Sequence, residues 1–254
     1  MNESPTPLKT ERIAMLIDGD NAQPSLIGEI IAEAGKYGLV TIRRIYGDWT
    51  TTNMNGWKDI LHVHAVQPIQ QFRYTIGKNA TDSALIIDAM DILYEGGVSG
   101  FCLVSSDSDY TRLAMRIREK GLFVMGIGKK TTPIAFVNAC GVFVQTENLR
   151  AEAEKLQPVQ KPGKRATAKT VQADPLPLLK KAVEKSTQED GWAFLGSIGN
   201  RLVQLDPSFD VRTYGFKLLS QLFRSYKDDF EIDEPERKDG PSVIRIRPKN
   251  KQIK

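Results

Sequence analysis

The stretch IAMLIDGDN, residues 13–21, decides the fold. Its first five residues form an apolar run that stops at Asp18, and the turn-forming residues Gly19, Asp20 and Asn21 follow. An apolar run of this length, closed by turn-forming residues, is typical of a strand that is buried on both faces of a sheet. The stretch therefore predicts a central strand whose carboxyl end carries an aspartate.

Outward from this strand, strand-like and helix-like segments alternate along the chain. Apolar residues recur at helical spacing in 24–38, 57–64, 81–94 and 109–120. Strand-like segments lie at 40–46, 101–105, 122–128 and 141–145. Strands that alternate with helices form right-handed βαβ units, which build a parallel sheet with helices on both faces. The fold class of this part is therefore α/β.

A second, smaller unit follows a segment of linker composition. Residues 157–172 hold two prolines and four basic residues but no acidic or aromatic residue, so they bury too little surface to fold alone. Asp174 and Pro175 then mark a helix start, as N-cap and first helical residue. Helices are predicted at 175–188, 194–204 and 211–225, and two strand-like segments (FEID and SVIRIR) come after them. This order resembles a winged helix-turn-helix unit.

These patterns divide the chain into five segments. They are a flexible tail (1–11), an α/β domain (12–149), a basic linker (150–173), a winged-helix domain (174–248) and a basic tail (249–254).

Composition and charge narrow the class of protein. Hydrophobic residues make up 41% and charged residues 26% of the 254 residues, as in ordinary globular proteins. No apolar run approaches the roughly 20 residues that cross a bilayer, so no membrane partner is expected. Cys102 and Cys140 lie in apolar stretches and are read as buried, reduced thiols, which predicts a cytoplasmic protein.

The net charge of +4 is unevenly distributed. Residues 1–150 hold 15 Lys and Arg against 16 Asp and Glu, a net charge of −1, and residues 151–254 hold 20 against 15, a net charge of +5. A basic second half hints at a nucleic-acid partner.

Carboxylates gather where the strands are predicted to end. Asp18 closes the first strand, Asp107 and Asp109 follow the strand at 101–105, and Asp82 lies at the start of the helix at 81–94. The carboxyl ends of parallel strands share one edge of the sheet, so neighbouring strands would bring these acids together. Clustered carboxylates repel one another unless a cation intervenes, and an all-oxygen set selects Mg²⁺ or Mn²⁺, the metals of phosphoryl-transfer chemistry.

Simpler roles for these residues stay open. Asp and Ser after a strand are also common helix N-caps, and Asp18 to Asn21 could form only a turn. Trp49 in the segment YGDW (46–49) could stack on a base or pack in the core.

Four segments carry a family resemblance. They are IDGDN (17–21), KNATDSALIIDAMD (78–91), LVSSDSDYTRLAMRIREKG (103–121) and TPIAFVNACGVFVQTENL (132–149). They resemble the NYN domain, a PIN-like nuclease family. The resemblance implies a Rossmann-like PIN fold and metal-dependent ribonuclease activity. The acids that match the family's motifs are Asp18, Asp82, Asp107 and Asp109, which the resemblance implies to be the catalytic and metal-binding residues. Asn21 of the first motif is a candidate for substrate binding.

Residues 174–248 resemble the OST-HTH (LOTUS) domain, which is similar to winged helices and implies RNA binding or docking of a protein partner. Two pairs of basic residues are candidates for substrate binding. Arg73 and Lys78 precede Asp82 and could meet backbone phosphates, whereas Arg245 and Arg247 lie in a carboxyl-terminal segment without acids. A solvated surface is the simpler role for both pairs.

The leading hypothesis is a metal-dependent ribonuclease with a carboxyl-terminal domain that binds RNA or a partner. A non-catalytic RNA-binding adaptor is the first alternative. A haloacid-dehalogenase-like phosphatase is the second, because Asp18, Gly19 and Asp20 mimic its nucleophile motif, although Ala22 departs from that motif. The sequence predicts no oligomeric state.

Overall fold

The computed structural model describes residues 11–72, 80–156, 174–234 and 243–249. They form two compact units that divide at about residue 157. Cys102 and Cys140 are buried and unpaired, as predicted. No helix in the described ranges is both long and apolar enough to span a membrane.

The first unit is built on a parallel sheet, which confirms the predicted fold class. The strands are β1 (Arg12–Asp18), β2 (Leu39–Gly47), β3 (Gln67–Gln70), β4 (Gly100–Val104), β5 (Phe123–Gly128) and β6 (Val142–Gln145). Their order in the sheet is β3-β2-β1-β4-β5-β6, and every neighbouring pair is parallel. The chain builds outward from β1 to one edge and then returns to add β4 on the other side. The order therefore reverses between β1 and β4, which is where such sheets open a crevice at their carboxyl ends.

Helices cover both faces of this sheet. They are α1 (Ile27–Ala34), α2 (Asn55–Leu61), α3 (Ala80–Glu95), α4 (Thr111–Glu119), α5 (Ile134–Ala139) and α6 (Thr146–Leu156). Strand β1 supplies both cores, because successive side chains point to opposite faces. Ile13, Met15 and Ile17 pack with residues of α1, α2 and α6, while Ala14 and Leu16 pack with residues of α3, α4 and α5. The predicted strand with two buried faces is thus confirmed.

Two helices of this unit were not predicted from the sequence. Helix α5 is only six residues long, too short for helical spacing to be recognised. Helix α6 continues to Leu156, past residue 149, where the sequence analysis ends the α/β domain.

The second unit is helical with a small antiparallel sheet, as expected for a winged helix. Its elements are α7 (Leu176–Glu184), β7 (Ala193–Phe194), α8 (Leu195–Leu205), α9 (Leu219–Ser225), β8 (Phe230–Asp233) and β9 (Arg245–Pro248), and its sheet order is β7-β9-β8. The Asp174 carboxylate accepts the Leu176 amide at 3.0 Å, but the N-cap residue of α7 is Pro175 and not Asp174 as predicted. The core contains Leu179, Leu202 and Phe223.

The prediction of one helix over 211–225 is wrong. A short 3-10 turn covers Val211–Tyr214, and α9 begins only at Leu219. Gly215 separates them with a φ of +84°, a left-handed conformation that glycine adopts without a Cβ penalty and that ends helices.

Candidate metal centre

The predicted acids meet at the reversal point of the sheet. Asp18 is the last residue of β1, and Ser105 follows β4 directly. The two strands are neighbours, with Ile17 opposite Val104, so the next residues of each strand also meet. The Ser105 hydroxyl donates to Asp18 Oδ2 at 2.9 Å and accepts the Asp107 amide at 3.1 Å. One serine therefore ties the loop after β4 to the end of β1.

Glycine after Asp18 allows the chain to turn closely over β2. A Cβ on Gly19 would lie 2.6 Å from Met54 Cε and 2.7 Å from the Tyr46 carbonyl oxygen. The Gly19 amide donates to that same carbonyl at 2.9 Å. Any larger residue would therefore displace the turn that holds Asp18 in the crevice.

Three carboxylates form a compact group, here called the acid cluster, which consists of Asp82, Asp107 and Asp109. One oxygen from each lies within 4.8 Å of the other two. Asp82 comes from the first turn of α3, and the other two come from the loop after β4. Asp107 also accepts the Asp109 amide at 2.9 Å, so the N-cap role that the sequence left open is real and coexists with the clustering.

Asp18 lies in the same crevice but outside this group. Its side chain is only 1% exposed. Oδ2 accepts from Asn21 Nδ2 at 2.6 Å and from Ser105, and Oδ1 accepts the Asp20 amide at 3.1 Å. The side-chain amide of Asn21 therefore donates to Asp18.

Burial and like charge raise the pKa values of two of these acids. For Asp82 the largest cause is desolvation; a hydrogen bond from Tyr110 opposes it, and the charges of Asp107, Asp109 and Asp20 add to the increase in pKa. For Asp18 burial again dominates, hydrogen bonds from Asn21 and Ser105 oppose it, and the charge of Asp82 raises the pKa further. A cation would relieve this repulsion.

The donor set fits a hard divalent cation. The cluster offers only carboxylate oxygens, which Mg²⁺, Mn²⁺ and Ca²⁺ prefer. Two oxygens that each lie about 2.0–2.6 Å from one ion are at most about 5 Å apart. The mutual spacing within 4.8 Å is compatible with ligands of a single ion.

Two hydroxyl groups of the site escaped the sequence analysis. Besides Ser105, Tyr110 is 1% exposed and donates its hydroxyl to Asp82 Oδ1 at 2.7 Å. Burial raises the pKa of Tyr110, so it stays protonated and remains a donor. Both residues belong to the segment SSDSDY (105–110), which also contains Asp107 and Asp109. Their hydroxyl groups beside these two acids were the signal that the sequence offered.

Helix α3 carries a further aspartate outside the acid cluster. Asp88 is hydrogen-bonded by the Tyr46 hydroxyl and pairs with Arg44 at 2.5 Å. It therefore ties α3 to β2 instead of joining the acid cluster.

The predicted basic residues have different outcomes. Arg73 and Lys78 lie outside the described residues. Arg245 pairs with Asp233, and Arg247 pairs with Glu231 at 2.7 Å. Both guanidinium groups also lie over the Trp192 ring, at 5.4 and 4.5 Å from its centroid.

Two solved structures are similar to parts of this chain. An uncharacterized protein from Nitrosomonas europaea, solved by NMR, is 35% identical over 39% of this chain and 95% of its own, with a TM-score of 0.31. A crystal structure of a protein of unknown function from Vibrio parahaemolyticus is 20% identical over 54% of this chain and 93% of its own, with a TM-score of 0.46. No curated protein matches.

Family models match both units in the predicted order. The NYN domain model matches residues 12–147, and the OST-HTH/LOTUS domain model matches residues 167–241. The first match covers more than half of the chain. The chain therefore belongs to the NYN domain family, a family of PIN-like nucleases, and carries an OST-HTH/LOTUS domain after it.

Proposed function

We propose that this protein is a metal-dependent ribonuclease. Its NYN domain (12–149) would cleave RNA, and its OST-HTH/LOTUS domain (174–248) would hold the RNA or a protein partner. The observation that carries the proposal is the acid cluster, in which three carboxylate oxygens lie within 4.8 Å of one another at the reversal point of the sheet. The two buried, unpaired cysteines fit the reducing cytoplasm.

The acid cluster would hold Mg²⁺ or Mn²⁺ through Asp82, Asp107 and Asp109. A bound cation of this kind supplies an activated water and neutralises charge on the phosphate. Asp18 would support the site without binding the ion: its buried carboxylate accepts hydrogen bonds from Asn21 and Ser105. Through Ser105 it keeps Asp107 at the mouth of the crevice.

Contact with RNA would come from basic residues of both domains. Arg73 and Lys78 precede α3 in the sequence, and their proposed role is contact with backbone phosphates. Arg245 and Arg247 would contact RNA through the N–H groups that do not bind their carboxylate partners, because a guanidinium has five N–H donors.

Of the rivals, the phosphatase is disfavoured by the surroundings of Asp18. A nucleophilic aspartate must present an oxygen to phosphorus, whereas Asp18 is buried and both of its oxygens accept hydrogen bonds. The non-catalytic adaptor is opposed by the intact acid cluster and is decided by the cleavage test.

The test is incubation of the full chain with labelled single-stranded RNA and Mn²⁺, Mg²⁺ or EDTA. Cleavage is expected with at least one metal and none with EDTA. Asp107→Asn should reduce the rate at least about 100-fold, since one charged ligand of the ion is lost. The matched control is Asp91→Asn, an exposed aspartate on α3 outside the cluster. No cleavage with any metal, or full activity in a folded Asp107→Asn variant, would reject the proposal.

A further inference from the structure

A second surface feature lies on the face of the sheet that α2 covers. It is a cleft of about 520 Å³, here called the aromatic cleft, whose lining includes Trp49, Lys58, Leu61, His62, Pro68 and Gln70. Its residues come from the loop after β2, from the end of α2 and from β3.

Two lining residues of the aromatic cleft, Trp49 and Gln70, lie at the carboxyl end of the sheet. Asp18 is opposite Tyr46, and Gly47 is opposite Gln70, so β1, β2 and β3 end at the same level. Trp49 follows β2, which is two strands away from β4. At about 4.8 Å per strand, the two strand ends are roughly 10 Å apart. A single RNA strand that runs from the crevice toward β3 along this edge would therefore reach Trp49.

Hydrogen bonds fix the orientation of the Trp49 ring. Its indole Nε1 donates to the Ile69 carbonyl at 2.9 Å, and its backbone amide donates to Gln70 Oε1 at 3.0 Å. Gln70 in turn donates to Asp48 at 3.1 Å. Trp49 is half-buried and packs against the core beside α2, whereas Trp57 is 1% exposed within that core. These hydrogen bonds hold the Trp49 ring in place without a bound ligand.

The chemistry of the lining matches a nucleotide. Trp49, Leu61 and Pro68 form apolar walls, and Lys58 and His62 add polar nitrogen groups, while no acidic residue is among the described lining residues. Lys58 is exposed and forms no ion pair with any residue that the structure describes. An aromatic wall with a free cation suits a base and the phosphate attached to it.

We propose that the aromatic cleft binds one unpaired base of the RNA strand, stacked on Trp49, with Lys58 against the adjacent phosphate. This inference rests on the proposed function, because it assumes that the crevice takes a single RNA strand. It assigns the cleft to substrate recognition rather than to cleavage.

The experiment separates the base from its phosphate. Binding of a short oligouridylate, and of an abasic oligomer with the same number of phosphates, is measured on the full chain that carries Asp107→Asn to prevent cleavage. Adding Trp49→Leu should weaken binding of the uridine oligomer at least about fivefold and leave the abasic oligomer unchanged, because only the first can stack. Tyr37→Leu is the matched control: Tyr37 is a partly exposed aromatic that stacks on Phe123, away from the cleft.

The lysine has a different signature. Lys58→Gln should weaken both oligomers alike and reduce the salt dependence of binding by about one counterion. Lys120→Gln, at the carboxyl end of α4, removes the same charge far from the cleft and should change neither. Trp49→Phe keeps an aromatic face and should retain most of the affinity, which separates stacking from loss of the fold if Trp49→Leu melts early.

Several outcomes would overturn the inference. They are an equal effect of Trp49→Leu on both oligomers, no effect on either, or no binding of the uridine oligomer by the parent chain. Cleavage by the unsubstituted chain is measured separately. If the unsubstituted chain cleaves RNA and Trp49→Leu leaves base-dependent binding unchanged, only the proposal for the aromatic cleft is refuted. If Trp49→Leu removes base-dependent binding and the unsubstituted chain never cleaves RNA, only the proposed nuclease activity is refuted.

Discussion

The two units of this chain arrange their charged side chains in opposite ways: the first brings like charges together, and the second pairs opposite charges. In the acid cluster, Asp82, Asp107 and Asp109 bring three carboxylates together, and their mutual repulsion contributes to the raised pKa of Asp82. On the sheet of the second unit, each arginine of β9 lies opposite an acid of β8 and pairs with it: Arg245 with Asp233 and Arg247 with Glu231.

This difference distinguishes charged residues that serve to bind a ligand from charged residues that stabilise the fold. Like charges held together in a crevice reduce stability, and proteins keep such arrangements at functional sites. Opposite charges paired across two strands contribute about 0.2–1 kcal/mol and leave less charge for a partner.

The largest expected effect is on the acid cluster. Asp82→Asn should abolish most metal-dependent cleavage, with a loss of at least about 100-fold, because it removes a charged ligand. The same substitution should raise the melting temperature of the metal-free protein at neutral pH by a few degrees. Its amide oxygen still accepts from Tyr110, and its amide nitrogen replaces repulsion of Asp107 by attraction. Activity and stability should thus move in opposite directions.

The pH dependence of that stability gain has a definite sign. The pKa of Asp82 in the folded protein is raised above its ordinary value of 3.8, so its contribution to stability is fully present below that value and is lost as the pH rises through the folded-state pKa. The Asp82→Asn variant does not lose this contribution to stability as the pH rises. The gain in melting temperature should therefore vanish at about pH 3 and grow toward neutral pH; a gain independent of pH would contradict this account.

The next effect concerns the division of labour between the units. Deleting residues 157–254 removes the half with the positive net charge and should weaken RNA binding about tenfold while flattening its salt dependence, because fewer counterions are released. The remaining fragment keeps the acid cluster and both cores of the first unit, so it should still cleave at saturating RNA. A binding titration at several salt concentrations measures the first effect, and single-turnover cleavage measures the second. Unchanged affinity and salt dependence would favour a protein partner for the OST-HTH/LOTUS domain.

Much of the fold was predictable because its signals are local. The apolar run of β1 ends at Asp18, and the alternation of strands with helices already implied that Asp18 and Asp107 would share an edge of a parallel sheet. The sequence did not predict α5, which is a single short helix, nor the break at Gly215, where apolar spacing continues through a residue whose backbone turns left-handed.

The site was harder to predict, because its finer contacts join distant parts of the chain. Asp18 was predicted to lie with the other acids, and its place at the end of β1, beside the loop after β4, supports this. Which oxygens point inward depends on side chains such as Ser105, which lies 87 residues from Asp18. Likewise the link from Tyr110 to Asp82 spans 28 residues and requires α3 to pack beside the loop after β4.

A smaller effect is expected from Tyr110→Phe, which removes one hydroxyl and keeps the ring. Asp82 would lose its neutral donor at 2.7 Å, and a hydrogen bond to a charged group contributes about 1.5–3 kcal/mol. We expect a several-fold increase in the metal concentration needed for half-maximal cleavage, with a smaller loss at saturating metal. Direct titration with Mn²⁺ checks the affinity. Tyr94→Phe, an exposed tyrosine on the same helix as Asp82, is the control; equal effects of the two variants would show that Tyr110 does not position Asp82.

The smallest effect is expected at the paired arginines of the second unit. Arg247→Gln removes a half-exposed ion pair with Glu231 and a contact with the Trp192 ring, so the loss in free energy of unfolding should stay below about 1 kcal/mol. Because Glu231 already neutralises much of this charge, the salt dependence of RNA binding should decrease by less than one counterion. Lys249→Gln, two residues along the chain, is the control for the charge alone. A decrease of one full counterion in Arg247→Gln would show that phosphate displaces Glu231 when RNA binds, and that the paired charges of β9 also serve the ligand.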